Sequence, residues 1–560
     1  MDQLKKVLSI LDNRKKKLIL LLPFFLSLSF IEIISIAILT IYITKITGQN
    51  IDALNINIVY LKQIVDDTEK LTYLVIIIFL VKFLYTVFIN FLISRFSLNE
   101  KRIVQSFLLQ KYIQMSYFDF KFKTLPEINE TIQRRVGHYI NSINVFLKLL
   151  NDILLLCLLL VYLIKINIHS FLILLIVTTL FMFFYYLLIS KKIVNYGKKS
   201  TKASKNIFQT VQDTFKSFKE IKFLGKEKFF TNNFKVYTSK EYISFLKLNF
   251  FNSLIKPLFE LVIIFIFLFL IYILPKYKID TEQLTAILIA FGIASLRLMP
   301  STSQIIRSFN LINFNKFSVD YVFNEIKGEN RKIENINTII YPIDNNERKI
   351  ISFKNVSYYY DSNKIILENI NFDLFAKDKI FISGASGSGK STFLDILSGL
   401  LIPTDGKIYI NNNLLKINNF NQLKEKIGYV AQQSFYLDDT VETNVALKDA
   451  KSLTYDEKLK INNLKGISLI DFDVVFRNGS FSDLSGGQKQ RISIARNLFT
   501  EKEILIFDES TSSIDHENEI KIIKNILNYF NNKTIIFVSH NQNLIKYFDK
   551  VYKFNNKRIK

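Results

Sequence analysis

Six long apolar segments crowd into the first half of the 560-residue chain, strands and helices alternate through the rest, and a GASGSGKS segment sits at a strand-to-helix junction in that second part. Together these predict an α-helical six-span membrane domain followed by an α/β P-loop domain. The length exceeds one ordinary domain. The expected division is a membrane domain over 1–327, a linker over 328–348 and the α/β domain over 349–560, because near the linker the apolar runs give way to short strands and glycine-containing turns.

The apolar segments lie near Leu18–Ile43, Leu71–Ile93, Val145–Ile164, Phe171–Ser190, Phe250–Leu274 and Leu284–Ile306. A hydrocarbon core of ~30 Å takes roughly 20 helical residues, and at these lengths only helices satisfy their own backbone in lipid. The first segment follows Lys5, Lys6 and the basic run Arg14 to Lys17, shows no small-residue cleavage pattern and is too long for a signal peptide. It reads as a retained span. The stretches 95–148 and 191–247 are long and rich in Lys and Arg, which places them in the cytoplasm. The stretch 45–70 carries Asp52, Asp66, Asp67 and Glu69, and 275–282 is short, so both fit the outer side. Both termini and the α/β domain are then cytoplasmic. The cytoplasmic stretches keep a helical pattern that breaks near 117–126 and 218–225, the expected points of contact with a cytoplasmic domain. The segment 57–69 fits a short helix on the membrane surface or an ordinary solvated loop.

The net charge of +24 does not come from a basic stripe interleaved with aromatics, so nucleic acid is not an expected partner. Lysines beside apolar runs instead match cytoplasmic membrane loops. Cys157 is the sole cysteine, which excludes a disulfide framework or a cysteine metal site within one chain.

Charges inside the spans are costly unless they face a cavity or a partner. They are Glu32, Lys82, Lys256, Glu260 and Arg297, with Arg307 near the inner boundary. Internal pairing of Glu32 with Lys82, and of Lys256 with Glu260 one turn on, is one reading. An anion-attracting cavity lined by Lys82, Lys256, Arg297 and Arg307 is the other, and the two are compatible.

In the α/β part, Gly384, Ala385, Ser386, Gly387, Ser388, Gly389, Lys390 and Ser391 follow the strand-like 379–383 and precede a helical pattern from Thr392. A chance glycine-rich turn would lack the Lys-Ser ending and both flanking elements. The glycines let successive amides face phosphate oxygens, Lys390 reaches the β- and γ-phosphates, and Ser391 holds Mg²⁺. The run Ile504 to Phe507 reads as a buried strand ending in Asp508 and Glu509, one strand into the same sheet as the P-loop. Asp508 fits the magnesium shell and Glu509 the general base that polarises water. Between them, LSGGQ at 484–488 opens a helix through Arg491 and Arg496. Ser485 and the amides of Gly486 and Gly487 form a second anion site. One P-loop needs no second cradle, so this site is expected to serve a nucleotide on another subunit.

With these motifs in this order, the chain resembles an ABC transporter of the exporter type over nearly its full length. The resemblance implies ABC exporter architecture, ATP and Mg²⁺ as cofactors, and a homodimer in which Ser485, Gly486, Gly487 and Gln488 close over the partner's ATP. It also implies that Tyr360 stacks on adenine, that Thr392 belongs to the ATP site, that Gln432 links magnesium and attacking water to the membrane domain, and that His540 contacts the γ-phosphate. Ser512 to Asp515 resembles the segment that bridges the subunits. The stretch 476–483 lacks the acidic and Gly-Glu pattern frequent in exporters. Glu509 and His540 are both present, as two equal competent sites require.

Within the family, the FIE stretch at 30–32, the RLMPS stretch at 297–301 and the placement of Lys82 and Lys256 resemble bacterial flippases of lipid-linked oligosaccharides used in protein glycosylation or surface polysaccharide assembly. The expectation is ATP-driven flipping of a polyprenyl-pyrophosphate-linked oligosaccharide across the inner membrane, the cations offering charge to the pyrophosphate. An exporter of peptides, drugs or other lipids with the same engine is the alternative.

Overall fold

The computed structural model describes residues 2–46, 67–166, 168–273, 281–328, 349–359, 365–416, 420–432, 434–468, 484–555 and 557–559. These divide into one compact unit of residues 1–115 with 120–329, and a second of 116–119 with 330–560. Most of the expected linker, the segment 57–66, the stretch 476–483 and Tyr360 fall outside the described residues.

The first unit is helical. It runs through α1 (Asp2–Leu11), α2 (Leu22–Ile46), α3 (Thr68–Gln114), α4 (Leu125–Glu130), α5 (Val136–Ile166), α6 (Ile168–Lys216), α7 (Phe218–Leu224), α8 (Glu227–Ile273), α9 (Thr281–Phe314) and α10 (Lys316–Lys327). Among the described residues, four stretches are long and apolar enough to cross a membrane: α2, α3, Leu125–Val161 and Glu227–Phe269. Helices α6 and α9 cover the other two expected segments. The 47-residue α3 is about 70 Å long at 1.5 Å per residue. It therefore continues far beyond a ~30 Å core, as the helical pattern of the following loop implies.

The first span starts later than Leu18. The chain turns at Leu20 and Leu21 and α2 begins at Leu22, with Pro23 in its first turn, where a missing N–H costs nothing. Before it, α1 buries Val7, Ile10 and Leu11 in a cluster with Tyr139 and Ile143 of α5 and Val319 and Val322 of α10. Polar bonds fasten α10 in the same unit: Lys6 to Asp320 at 2.6 Å, Tyr321 to Glu127 at 2.9 Å, and the Arg135 guanidinium 3.7 Å over the Tyr321 ring. At Gly197 of α6 an added Cβ would lie 2.0 Å from the Phe314 carbonyl oxygen, so α6 meets the end of α9 backbone to backbone.

The second unit holds two sheets. A four-stranded antiparallel sheet has the order β2–β1–β4–β5, with β1 at Lys349–Tyr359, β2 at Ile365–Phe375, β4 at Asp405–Ile410 and β5 at Asn413–Leu414. A six-stranded sheet has the order β10–β9–β3–β8–β7–β6, with β3 at Lys379–Gly384, β6 at Ile427–Val430, β7 at Ile504–Asp508, β8 at Thr534–Val538, β9 at Lys550–Asn555 and β10 at Arg558–Ile559. Strands β6, β7, β8, β3 and β9 are parallel. Such strands are covered on both faces, which is why β7 and β8 are apolar without alternation and wholly buried. Tyr117 and Phe118 pack against this unit's core. The helices of this unit include α11 (Lys390–Leu397), α12 (Val441–Ala446), α13 (Tyr455–Ser468), α14 (Gly486–Phe499) and α15 (His516–Tyr529), of which α11, α14 and α15 carry site residues.

Candidate functional site: a nucleotide cradle and a charged membrane cavity

The P-loop joins β3 to α11, whose first residue is Lys390, two positions before the expected helical start. Its glycines hold conformations that L side chains avoid, φ +154° at Gly384, +77° at Gly387 and +104° at Gly389. At Gly389 a Cβ would also meet Leu367 Cδ2 at 2.7 Å. Lys390 donates to the carbonyls of Gly384 at 2.7 Å and Ala385 at 3.0 Å, which bends its side chain back over the loop. Burial pushes its ammonium below the usual lysine range, and the nearby Glu509 and Asp508 oppose that shift.

Strand β7 is separated from β3 by β8, so the acid pair stands one strand further from the P-loop strand than an adjacent placement implies. It is still delivered to the same carboxyl edge of the sheet. Asp508 is buried and accepts from the Tyr429 hydroxyl at 2.8 Å. Burial raises its carboxyl above the usual range, while the Tyr429 bond pulls the other way. Tyr429, on β6, went unnoticed in the sequence, although its position beside Ile506, two residues before Asp508, follows once β6 and β7 are paired.

Glu509 takes φ +46°, a left-handed conformation for a non-glycine residue. Its amide donates to the Val538 carbonyl at 3.0 Å. One carboxylate oxygen accepts from Gln432 Nε2 at 2.7 Å, and the other lies 2.9 Å from His540 Nε2. The three residues assigned to catalysis therefore converge. Ser391 and Asp508 present hard oxygen donors, which fit the Mg²⁺ that accompanies nucleotide phosphates, with the Gln432 amide oxygen a further donor of the same class.

Ser485 caps α14. Its hydroxyl accepts from the Gln488 amide at 3.2 Å, and its own amide donates to Gln488 Oε1 at 2.8 Å. This capping box was legible as S-x-x-Q and fixes the tip from within. The tip is seated on the Ser512–Asp515 segment: an added Cβ at Gly487 would lie 3.0 Å from the Ser513 carbonyl oxygen. Gln490 donates to Ser512 Oγ at 3.1 Å and accepts from the Ser513 amide at 2.8 Å. Asp515 caps α15 through Asn518, and those bonds hold its carboxyl below the usual range. The residues expected to face a partner's nucleotide thus form one continuous surface.

In the first unit, a cavity of about 560 Å³ is lined by Glu32, Asp152, Lys256, Ser303, Gln304 and Arg307, among others. Lys82 Nζ lies 3.8 Å from Glu32 Oε1, the pairing that the sequence suggests. The pairing of Lys256 with Glu260 is not found among the described residues, and Lys256 lines the cavity instead. Asp152 was missed although it lies in the middle of α5 and inside the expected span Val145–Ile164. Arg297 lies on α9, and its side chain is outside the described residues.

A family model described as the ABC transporter transmembrane region matches residues 18–298, and one described as ABC transporter matches 367–512. The chain belongs to the ABC transporters. This transporter is 36% identical over 225 residues to the microcin-J25 export ATP-binding/permease protein McjD of Escherichia coli, covering 39% of this chain and 38% of that protein. It is 36% identical over 214 residues to the alpha-hemolysin translocation ATP-binding protein HlyB of Escherichia coli O157:H7, covering 37% and 30%. With the leukotoxin translocation ATP-binding protein LktB of Mannheimia haemolytica it shares 35% over 209 residues, covering 36% and 29%. The matches therefore span well under half the length of these curated relatives. A solved bacterial Atm1-family ABC exporter with ATP bound shares the fold, with a TM-score of 0.80 over 98% of this chain and 95% of that one, at 17% identity.

Proposed function

We propose that the chain is one half of a homodimeric exporter in the bacterial inner membrane that couples ATP hydrolysis to cargo movement, with its ATPase unit and both termini cytoplasmic. The observation that carries this reading is the Glu509 carboxylate clasped between Gln432 and His540 at the edge of the P-loop sheet. In the proposed reaction the P-loop amides and Lys390 hold the phosphates, and Glu509 takes a proton from the attacking water that Gln432 and His540 help to orient. Ser391, Asp508 and Gln432 are the residues that would hold magnesium, which would supply positive charge against the phosphates. Ser485, Gly486, Gly487, Gln488 and Asp515 close on the partner's nucleotide, so each site needs two chains. Tyr360 is assigned to the adenine. Glu509→Gln is expected to keep ATP binding and lower kcat by about 10²–10⁴-fold, the usual scale for a general base. Normal turnover in that variant would remove the assignment.

For cargo, Lys82, Lys256, Arg307 and, by position, Arg297 support a polyprenyl-pyrophosphate-linked oligosaccharide. A second reading, export of a peptide, is favoured by a specific observation: Glu32 and Asp152 line the same cavity as Lys256 and Arg307. A cavity of mixed sign suits a cargo that carries both charges. The names of McjD, HlyB and LktB point the same way. Proteoliposomes loaded with labelled lipid-linked glycan or labelled peptide, with and without ATP, decide between them: ATP-dependent movement of one and not the other selects the cargo class.

A further inference from the structure

Glu519 is a buried acid on the first turns of α15 that takes no part in the chemistry above. One of its oxygens accepts from Thr511 Oγ1 at 2.7 Å, and the other accepts from Asn541 Nδ2 at 2.9 Å. Thr511 lies two residues after Glu509, and Asn541 directly follows His540. Each arm of this one carboxylate thus grips a different loop, and the two loops deliver the two side chains that meet at 2.9 Å in the candidate site. His516 borders the grip, its Nδ1 3.1 Å from Asn541 Nδ2 and 3.6 Å from the second Glu519 oxygen. Thr511 is itself buried, and a helix N-terminus favours a carboxylate.

We propose that Glu519 is a positioning residue for ATP hydrolysis, a clamp that fixes the Glu509–His540 contact by tying the loop after β7 to the loop after β8. This rests on the ATPase reading given above. Glu509 is anchored to β8 through Val538, but beyond its β8 contact the His540 side chain depends on a loop whose next residue is held by Glu519. Small misplacements of a catalytic pair cost rate out of proportion to stability.

The test uses the full-length protein in proteoliposomes, measuring phosphate release and binding of a fluorescent ATP analogue. Glu519→Ala is expected to lower kcat about tenfold while leaving nucleotide affinity within about twofold, since the P-loop is untouched. Glu519→Gln, which keeps an acceptor for Asn541 and a donor toward Thr511, is expected to recover most of the rate. In a His540→Ala background, Glu519→Ala is expected to cost almost nothing more, because the contact it positions is already gone. Thr511→Val removes one arm without changing side-chain volume and decides the matter should Glu519→Ala not fold; a loss of about threefold in kcat supports the clamp, and an unchanged kcat overturns it. An equal loss from Glu519→Ala with and without His540 also overturns it, the residue then acting on the unit at large. A wild-type protein without ATPase activity defeats the functional reading, and the clamp with it, whereas wild-type turnover that Glu509→Gln abolishes and Glu519→Ala leaves intact defeats the clamp alone.

Discussion

The nucleotide site and the membrane cavity both gather charged side chains, yet they hold them differently. Around Glu509 and Asp508 the contacts are short, 2.7 Å to Gln432, 2.9 Å to His540 and 2.8 Å to Tyr429, and each carboxylate is aimed by a neighbour. At the cavity, Glu32 stands 3.8 Å from Lys82, which is not among the lining residues, and Ser303 Oγ, Asn151 Oδ1 and Arg307 Nε have no hydrogen-bond partner among the described residues. The first is built for one reaction, where preorganised groups act at full strength. The second keeps bonding capacity in reserve, as a surface must if it is to grip a passing cargo and release it.

Variants can break or sharpen that contrast. The largest effect is expected from Lys390→Ala, which removes the only P-loop cation and lowers ATPase by about 10³-fold, the scale for a preorganised charge in a transition state; phosphate release measures it. Gly487→Val comes next. A side chain there would crowd the Ser513 carbonyl, its Cβ only 3.0 Å from the oxygen, and ATP-dependent association of the two motor units is expected to weaken by about tenfold or more, read by crosslinking. The double variant Lys256→Gln with Arg307→Gln is expected to weaken binding of an anionic cargo by about tenfold, the worth of one charge-assisted bond; unchanged affinity for a pyrophosphate lipid removes the anion from the cargo argument. Tyr429→Phe is the mildest. It deletes a bond that lowers the Asp508 pKa against the raising effect of burial, so the carboxyl takes up protons at higher pH and the acid limb of the ATPase profile shifts toward neutrality. A profile that stays in place means that Asp508 ionisation does not control the rate.

The same contrast explains what the sequence could disclose. The motor was legible because its chemistry is written in contiguous stretches: GASGSGKS carries its own turn geometry, and a wholly apolar strand ending in Asp508 and Glu509 announces both burial and placement. Gln432 and His540 were found only through family likeness, and their meeting at Glu509 needed the strand order. Glu519 and Tyr429 stayed hidden because each works through a partner on a different strand or loop, which no local pattern reveals. The six apolar segments were plain from hydropathy, but the start of the first span was misjudged because Leu18 is as apolar as Leu22 and the turn between them leaves no glycine signal. The cavity was least legible of all. Glu32, Asp152, Lys256 and Arg307 come from four helices, and only packing shows that Asp152 and Lys256 share one cavity lining.

Where Gly197 meets Phe314, two of the longest rods in the protein touch with no side chain between them. Side chains can repack when helices slip past each other, whereas a main-chain abutment has nothing to rearrange. Sliding of α9 along α6 is therefore resisted at that point, beside the side-chain packing of Tyr185 with Ile306 and Asn310. Arg307, which lines the cavity, stands about two turns back along the same helix, so the abutment fixes the depth at which that side chain sits against α6.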